Sequence, residues 1–169
     1  MKRALPLAVY IGTIVIANWM TATLGLVPIG FSLMVTAGTF AAGFALIARD
    51  WVQVSSGRRV VLAAIVAGAL ISAATSSRAI AVASGIAFLV SELVDLGVFT
   101  PIRPHSLPWA VLASSVVSAP VDTVLFLYLA GFGVTWQAVL GQFIVKTVLA
   151  LIVALWLARK NQCSTSPAL

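Results

Sequence analysis

The sequence predicts an all-α, polytopic membrane protein: six transmembrane helices in one bundle, with the N-terminus and C-terminus both cytoplasmic. Three observations carry this. Of 169 residues, 62% are hydrophobic and only 8% charged, whereas a soluble domain carries roughly 25% charged residues. Apolar runs of about 20 residues, the length that crosses a bilayer, follow one another along the chain. The basic residues stand in ones and twos at the breaks between these runs.

The expected spans are 5–24, 32–49, 60–77, 79–99, 107–131 and 134–158. The first follows Met1-Lys2-Arg3 in the manner of a signal peptide. It is nevertheless long enough to span, and it contains Asn18 and Trp19, so it is expected to be retained as a helix. The second ends at Arg49-Asp50. The third and fourth are separated only by Thr75-Ser76-Ser77-Arg78, and the fifth and sixth only by Gly131-Phe132-Gly133. Inside the fifth, Pro120 frees the carbonyl of Val116 and predicts a kink. Residues 1–160 are expected to form one membrane domain and 161–169 a short polar tail.

The bases give the orientation. With the N-terminus cytoplasmic, Lys2, Arg3, Arg49, Arg58, Arg59, Arg103, Arg159 and Lys160 fall on the inner side, and only Arg78 on the outer side. That asymmetry follows the positive-inside rule. The net charge of +6 therefore reflects topology, and no basic stripe with interleaved aromatics points to nucleic acid. One cysteine, Cys163, and one histidine, His105, exclude an intrachain disulfide and an ordinary zinc or haem site, so neither a metal nor a cofactor is expected. Small residues recur at four-residue spacing: Ala4, Ala8 and Gly12; Ala37, Ala41 and Ala45; Ala64 and Gly68. This spacing suits close packing within the bundle, or against another membrane protein, including a second copy of the chain.

The informative residues are those that lipid does not tolerate. Glu92 and Asp95 in the fourth span, Asp122 in the fifth and Lys146 in the sixth are ionisable; Asn18 and Gln142 are polar. Residues three or four apart share a helix face. Ser84, Phe88, Glu92 and Asp95 thus make one stripe, Ser115, Ser118 and Asp122 a second, and Gln142 and Lys146 a third. Each stripe should point into the bundle. One alternative is a purely structural ion pair of Lys146 with Asp122 or Glu92. Three intramembrane acids against one base exceed what a single pair consumes, and the surplus predicts a substrate or ion site near one midplane depth.

Ser91-Glu92-Leu93-Val94-Asp95 with Val98-Phe99-Thr100-Pro101-Ile102-Arg103 is similar to a motif of the queuosine-precursor transporters, also called the vitamin uptake transporter family. In the same order, Ala37-Gly38-Thr39-Phe40 leads to Asp50 and Gly57-Arg58-Arg59. Ser114-Ser115 precedes Val121-Asp122-Thr123-Val124-Leu125-Phe126, and Gly141-Gln142 precedes Lys146. The resemblance implies a multi-pass protein of a prokaryotic inner membrane. It would import 7-cyano-7-deazaguanine or 7-aminomethyl-7-deazaguanine for making queuosine in tRNA, and a surplus acid would be the group for proton coupling.

For such a ligand, Glu92 or Asp122 would accept the adjacent N–H donors of a guanine-like edge. Asn18 or Gln142 would read the carbonyl side, Phe88, Phe99, Phe126 or Trp19 would stack on the ring, and Asp95 would suit a cationic aminomethyl group. Lys146 belongs to the same polar set. The alternative is a substrate-binding membrane subunit for a vitamin or purine-like ligand that needs an energising partner. The chain itself carries no GxxxxGK[ST] loop. Enzymatic activity is not expected, since HExxH and GxSxG are both absent. An acid pair from Asp95 and Asp122 lacks the flanking glycine and tyrosine patterns of an intramembrane protease.

Overall fold

In a computed structural model, residues 4–75 and 77–165 are described, with side chains through 159. Lys2, Arg3, Ser76 and the side chains of Lys160 and Cys163, invoked above, lie outside the described residues. The chain runs α1 (Ala4–Leu24), a hairpin of β1 (Leu26–Gly30) and β2 (Leu33–Thr36), α2 (Thr39–Ser56), α3 (Arg58–Thr75), α4 (Arg78–Ile102), α5 (Leu107–Leu129) and α6 (Trp136–Thr165). Five of these helices are long and apolar enough to cross a membrane: α1, α3, α4, α5 and the 136–159 part of α6.

The surface is inverted relative to a soluble protein. Outward positions carry Leu5, Leu70, Val82, Leu93 and Trp156, each more than half exposed, while the interior holds Asn18, Arg49, Asp50, Glu92, Asp95, Asp122, Gln142 and Lys146. Lipid is the solvent that makes this arrangement favourable. It also accounts for helices that are apolar nearly all round, whose inward side is marked by polarity instead of hydrophobicity.

The expected second span is wrong at its start. Residues 32–36 are not helical; Leu33–Thr36 form β2, paired antiparallel with β1 through Leu26↔Thr36, Val27↔Val35, Pro28↔Met34 and Gly30↔Leu33. Gly25, at φ 63°, turns the chain back after α1, a conformation that costs glycine little. At the tip, Phe31 and Ser32 take φ of 51° and 58°, the pair of positive values a two-residue hairpin turn demands. A short apolar run such as Leu33-Met34-Val35 has no period that separates strand from helix start. The hairpin folds inward, with Val35 and Thr36 buried, and β2 packs on α6.

Elsewhere α4 packs most extensively on α5, α5 on α6, and α1 on both α2 and α3. An apolar cluster of Tyr10, Ile14, Ala45, Ala48, Val52, Val61, Ala64, Ile65 and Phe88 joins α1 through α4. Of the small-residue stripes, Ala37, Ala45, Ala64 and Gly68 are buried, and Gly68 meets Ile14 of α1. Ala4 and Ala8 are exposed. α5 continues through Pro120 without interruption.

Gly38 shows how tightly α2 is seated. Its N–H donates to Thr21 Oγ1 at 3.1 Å, and an added Cβ would run into the carbonyl oxygen of Ala17 on α1. Gly38→Ala is therefore expected to destabilise the protein by about 1–3 kcal/mol, the usual cost of overpacking. Gly97→Ala is the control: it lies within α4 with nothing within 4 Å of the added atom, so helix propensity alone should leave stability unchanged or slightly higher. Melting temperatures of the two variants in the same detergent check this.

Candidate functional site

The inward stripes of α1, α2, α4, α5 and α6 converge on a central polar seam with two levels. At about 1.5 Å per residue, Asn18, Ser84 and Gln142 lie about 9 Å, and Asp122 about 10 Å, from the hairpin-side ends of their helices. On the same measure Glu92 lies about 21 Å and Asp95 about 26 Å from that side. The single midplane depth expected from the sequence is thus resolved into an upper level, near the hairpin, and a lower one.

At the upper level, Lys146 Nζ donates to Asp122 Oδ2 at 2.6 Å and to Thr123 Oγ1 at 2.9 Å. The two ends of this pair come from the SSxxxxxxD stripe of α5 and the QxxxK stripe of α6. Asn18, Thr21, Thr36, Thr39, Gln142 and Phe126 surround it, around a cavity of about 20 Å³. Thr36 and Thr39 share a hydroxyl hydrogen bond of 2.9 Å, so β2 contributes a wall as well as a cover. Asn18 Nδ2 and Gln142 Nε2 are buried without a hydrogen-bond partner, an arrangement that costs about 1–3 kcal/mol for each group left unmade.

At the lower level one guanidinium is shared by three carboxylates. Arg49 Nε lies 3.1 Å from Glu92 Oε2, and Arg49 Nη1 lies 3.2 Å from Asp50 Oδ1. The same Nη1 donates to Asp95 Oδ2. Ser118 Oγ donates to the other Asp95 oxygen at 3.5 Å. Arg49, Asp50, Glu92 and Asp95 are all at least 94% buried. Glu92 Oε1 and both Asp50 oxygens have no hydrogen-bond donor. A cavity of about 10 Å³ lies beside the cluster, lined by Tyr10, Arg49, Phe88, Ser91, Glu92 and Ser118.

Two expectations are corrected here. Arg49 does not belong to the cytoplasmic row of bases. Because α2 starts at Thr39 and runs to Ser56, Arg49 sits mid-helix, not at a span end, and it turns inward. Among the described residues the interior count becomes Asp50, Glu92, Asp95 and Asp122 against Arg49 and Lys146, so the surplus of acid remains. Trp19 is 53% exposed and faces away from the seam, and Phe99 packs against Ala110 and Val111, so neither ring lines the two central cavities. Phe88 borders both cavities. Phe126 borders the upper one, with its ring centroid 6.3 Å from that of Phe132.

Sequence reasoning missed Arg49, Asp50, Tyr10 and the Thr21/Thr36/Thr39 hydroxyls. A signal for the first two was present: Gly38 and Gly57 bracket an 18-residue helix that puts the Arg-Asp pair well inside it. The hydroxyls could not be found this way, because Thr36 reaches the seam only through the hairpin.

Small voids beside buried, incompletely satisfied polar groups describe a closed site. Each cavity has room for about one water, while ligand pockets run to about 300–1,000 Å³. Admission of a ring-sized ligand therefore requires the helices around the seam to part. No curated protein and no solved structure matches the chain. A family model described as "Putative vitamin uptake transporter" matches residues 9–159, which takes in most of every helix and both levels of the seam. The chain belongs to the vitamin uptake transporter family.

Proposed function

We propose that this protein imports a queuosine precursor, 7-cyano-7-deazaguanine or 7-aminomethyl-7-deazaguanine, across a prokaryotic inner membrane, and that it is not an enzyme. In this reading α2 is the sixth span, both termini are cytoplasmic, and the hairpin faces outward. Arg58, Arg59, Arg103 and Arg159 then remain on the inner side and Arg78 on the outer side. The observation that carries the proposal is the seam's set of unmet polar valences: buried amide ends on Asn18 and Gln142, and a free Glu92 carboxylate oxygen, bracketing Phe88.

A deazaguanine edge offers what these groups lack. Its ring N–H and exocyclic amine donate side by side to a carboxylate, its carbonyl accepts from an amide, and its faces suit Phe88 and Phe126. Asp95, or Glu92 if the ring edge goes to Asp122, suits an aminomethyl cation. The four interior acids against two interior bases among the described residues give a proton-coupled cycle a group to load.

Thermal shift of the purified protein should separate ligand classes. Saturation at about 100 times Kd adds about 2.7 kcal/mol to apparent stability. The two 7-deazaguanines are expected to raise the melting temperature; guanine, queuine and vitamins are expected to do so less or not at all. In a queuosine-auxotrophic host, Glu92→Gln and Asp122→Asn should each abolish uptake. A shift produced by a vitamin alone would replace the substrate, and wild-type uptake by both variants would remove the site.

A further inference from the structure

A third void continues the seam away from the hairpin. It holds about 600 Å³ and is lined by Gln53, Arg58, Leu96, Phe99, Thr100 and Arg103, among others. Along α4 and its C-terminal cap the upper cavity, the lower cavity and this vestibule are bordered in turn by Ser84, then Glu92, then Leu96 and the capping Arg103. Ser84 to Arg103 covers about 28 Å at helical rise, close to the roughly 30 Å of a hydrocarbon core.

The lower cavity and the vestibule are one helical turn apart on two helices at once. Arg49 borders the first and Gln53 the second on α2; Glu92 borders the first and Leu96 the second on α4. Arg49 fills that turn, ion-paired across to Glu92 and hydrogen-bonded to Asp95.

We propose that the Arg49 bridge to Glu92 and Asp95 is the gate between the central seam and the vestibule, and that Asp50 is the partner that holds Arg49 when the gate opens. Arg49 and Asp50 are neighbours on α2, whereas Glu92 and Asp95 are both on α4. Withdrawing the guanidinium from α4 therefore separates the two helices without leaving Arg49 unpaired, since its 3.2 Å contact to Asp50 travels with it. A buried charge left without any partner would make opening prohibitively costly; a three-carboxylate set supplies two paired arrangements of one cation. A donor-rich or cationic substrate reaching Glu92 and Asp95 would compete for the same oxygens and so favour the open arrangement. The gate rests on the transport reading but not on the identity of the substrate.

The test uses the full chain with Cys163→Ser as background, so that single cysteines can be labelled by a membrane-impermeant maleimide in detergent. Thr100→Cys, in the vestibule, is expected to react readily. Ser91→Cys, in the lower cavity, should be protected, and adding Arg49→Ala should speed its labelling by about tenfold or more. Ala64→Cys, buried between helices and bordering none of the three voids, should stay protected throughout. Ser91→Cys that reacts freely with Arg49 present, or stays protected without it, overturns the gate, as does a protected Thr100→Cys. If Ala64→Cys also becomes reactive, Arg49→Ala has loosened the whole fold, and Arg49→Lys decides: it keeps the charge but loses the fork, and unchanged Ser91→Cys labelling then overturns the proposal. Failure of the ligand panel with this labelling pattern intact would reject the substrate and leave the gate.

Discussion

Arg49→Ala is expected to destabilise this protein by about 3–5 kcal/mol, the cost of breaking a buried ion pair from one side, and to abolish uptake. Arg49 is 1% exposed and is the only base in contact with Asp50, Glu92 and Asp95 among the described residues. Its loss leaves three carboxylates in a region with room for about one water. The reverse substitution is predicted to be milder. Asp95→Asn removes one of three acids sharing one base, so two carboxylates still face Arg49 and the charge imbalance shrinks. Arg49→Lys should fall between them, because a single ammonium cannot span oxygens on two helices as a fork does. Arg59→Ala, at an exposed position in the first turn of α3, should lie within about 0.5 kcal/mol of the native chain. Thermal unfolding of the four variants in one detergent gives the order. An Asp95→Asn variant that melts below Arg49→Ala would show that Arg49 is not shared as the geometry has it.

The second large effect concerns Lys146 and Asp122. Lys146→Met leaves Asp122 buried and uncompensated, and Asp122→Asn leaves Lys146 so; each is expected to cost about 3–5 kcal/mol. Together they remove both charges from one contact of 2.6 Å, and the double variant is expected to recover most of the stability, so its loss should fall far below the sum of the two single losses. Uptake separates the two roles this pair can have. If it only joins α5 to α6, the double variant transports. If the pair belongs to the substrate site, as proposed, all three variants are inactive although the double variant is folded. Melting and uptake measured on the same three variants decide between these outcomes.

The seam also shows what distinguishes a legible residue from an illegible one. Glu92, Asp95, Asp122, Asn18, Gln142 and Lys146 announced themselves, because an ionisable or amide side chain within an apolar run has to face inward. Their helix faces followed from spacing within each helix. Arg49 was misread for a local reason: the apolar strand Leu33–Thr36 was counted into the second span, which pushed the helix start seven residues too early and moved Arg49 to its end. Trp19 and Phe99 were chosen as aromatics near polar residues in sequence, yet one faces away and the other fills a packing site. Aromatic residues are common on both faces of a membrane helix, so identity alone carries no direction.

By itself, then, the sequence determined the inverted character of this protein: an apolar exterior, helices of spanning length, polar stripes turned inward, and more buried acid than base. These follow from composition and from the 3.6-residue period, both of which are local. Only the tertiary structure decided that Lys146 goes to Asp122 and Arg49 to three carboxylates, that the polar residues form two levels, and that a hairpin walls the upper one. Those pairings depend on the relative depth of helices up to about 50 residues apart, as with Arg49 and Asp95, separated by 46. That depth is fixed by where each helix begins and by how Gly38 and Gly68 let neighbours approach, a register between helices that no spacing along a single one encodes.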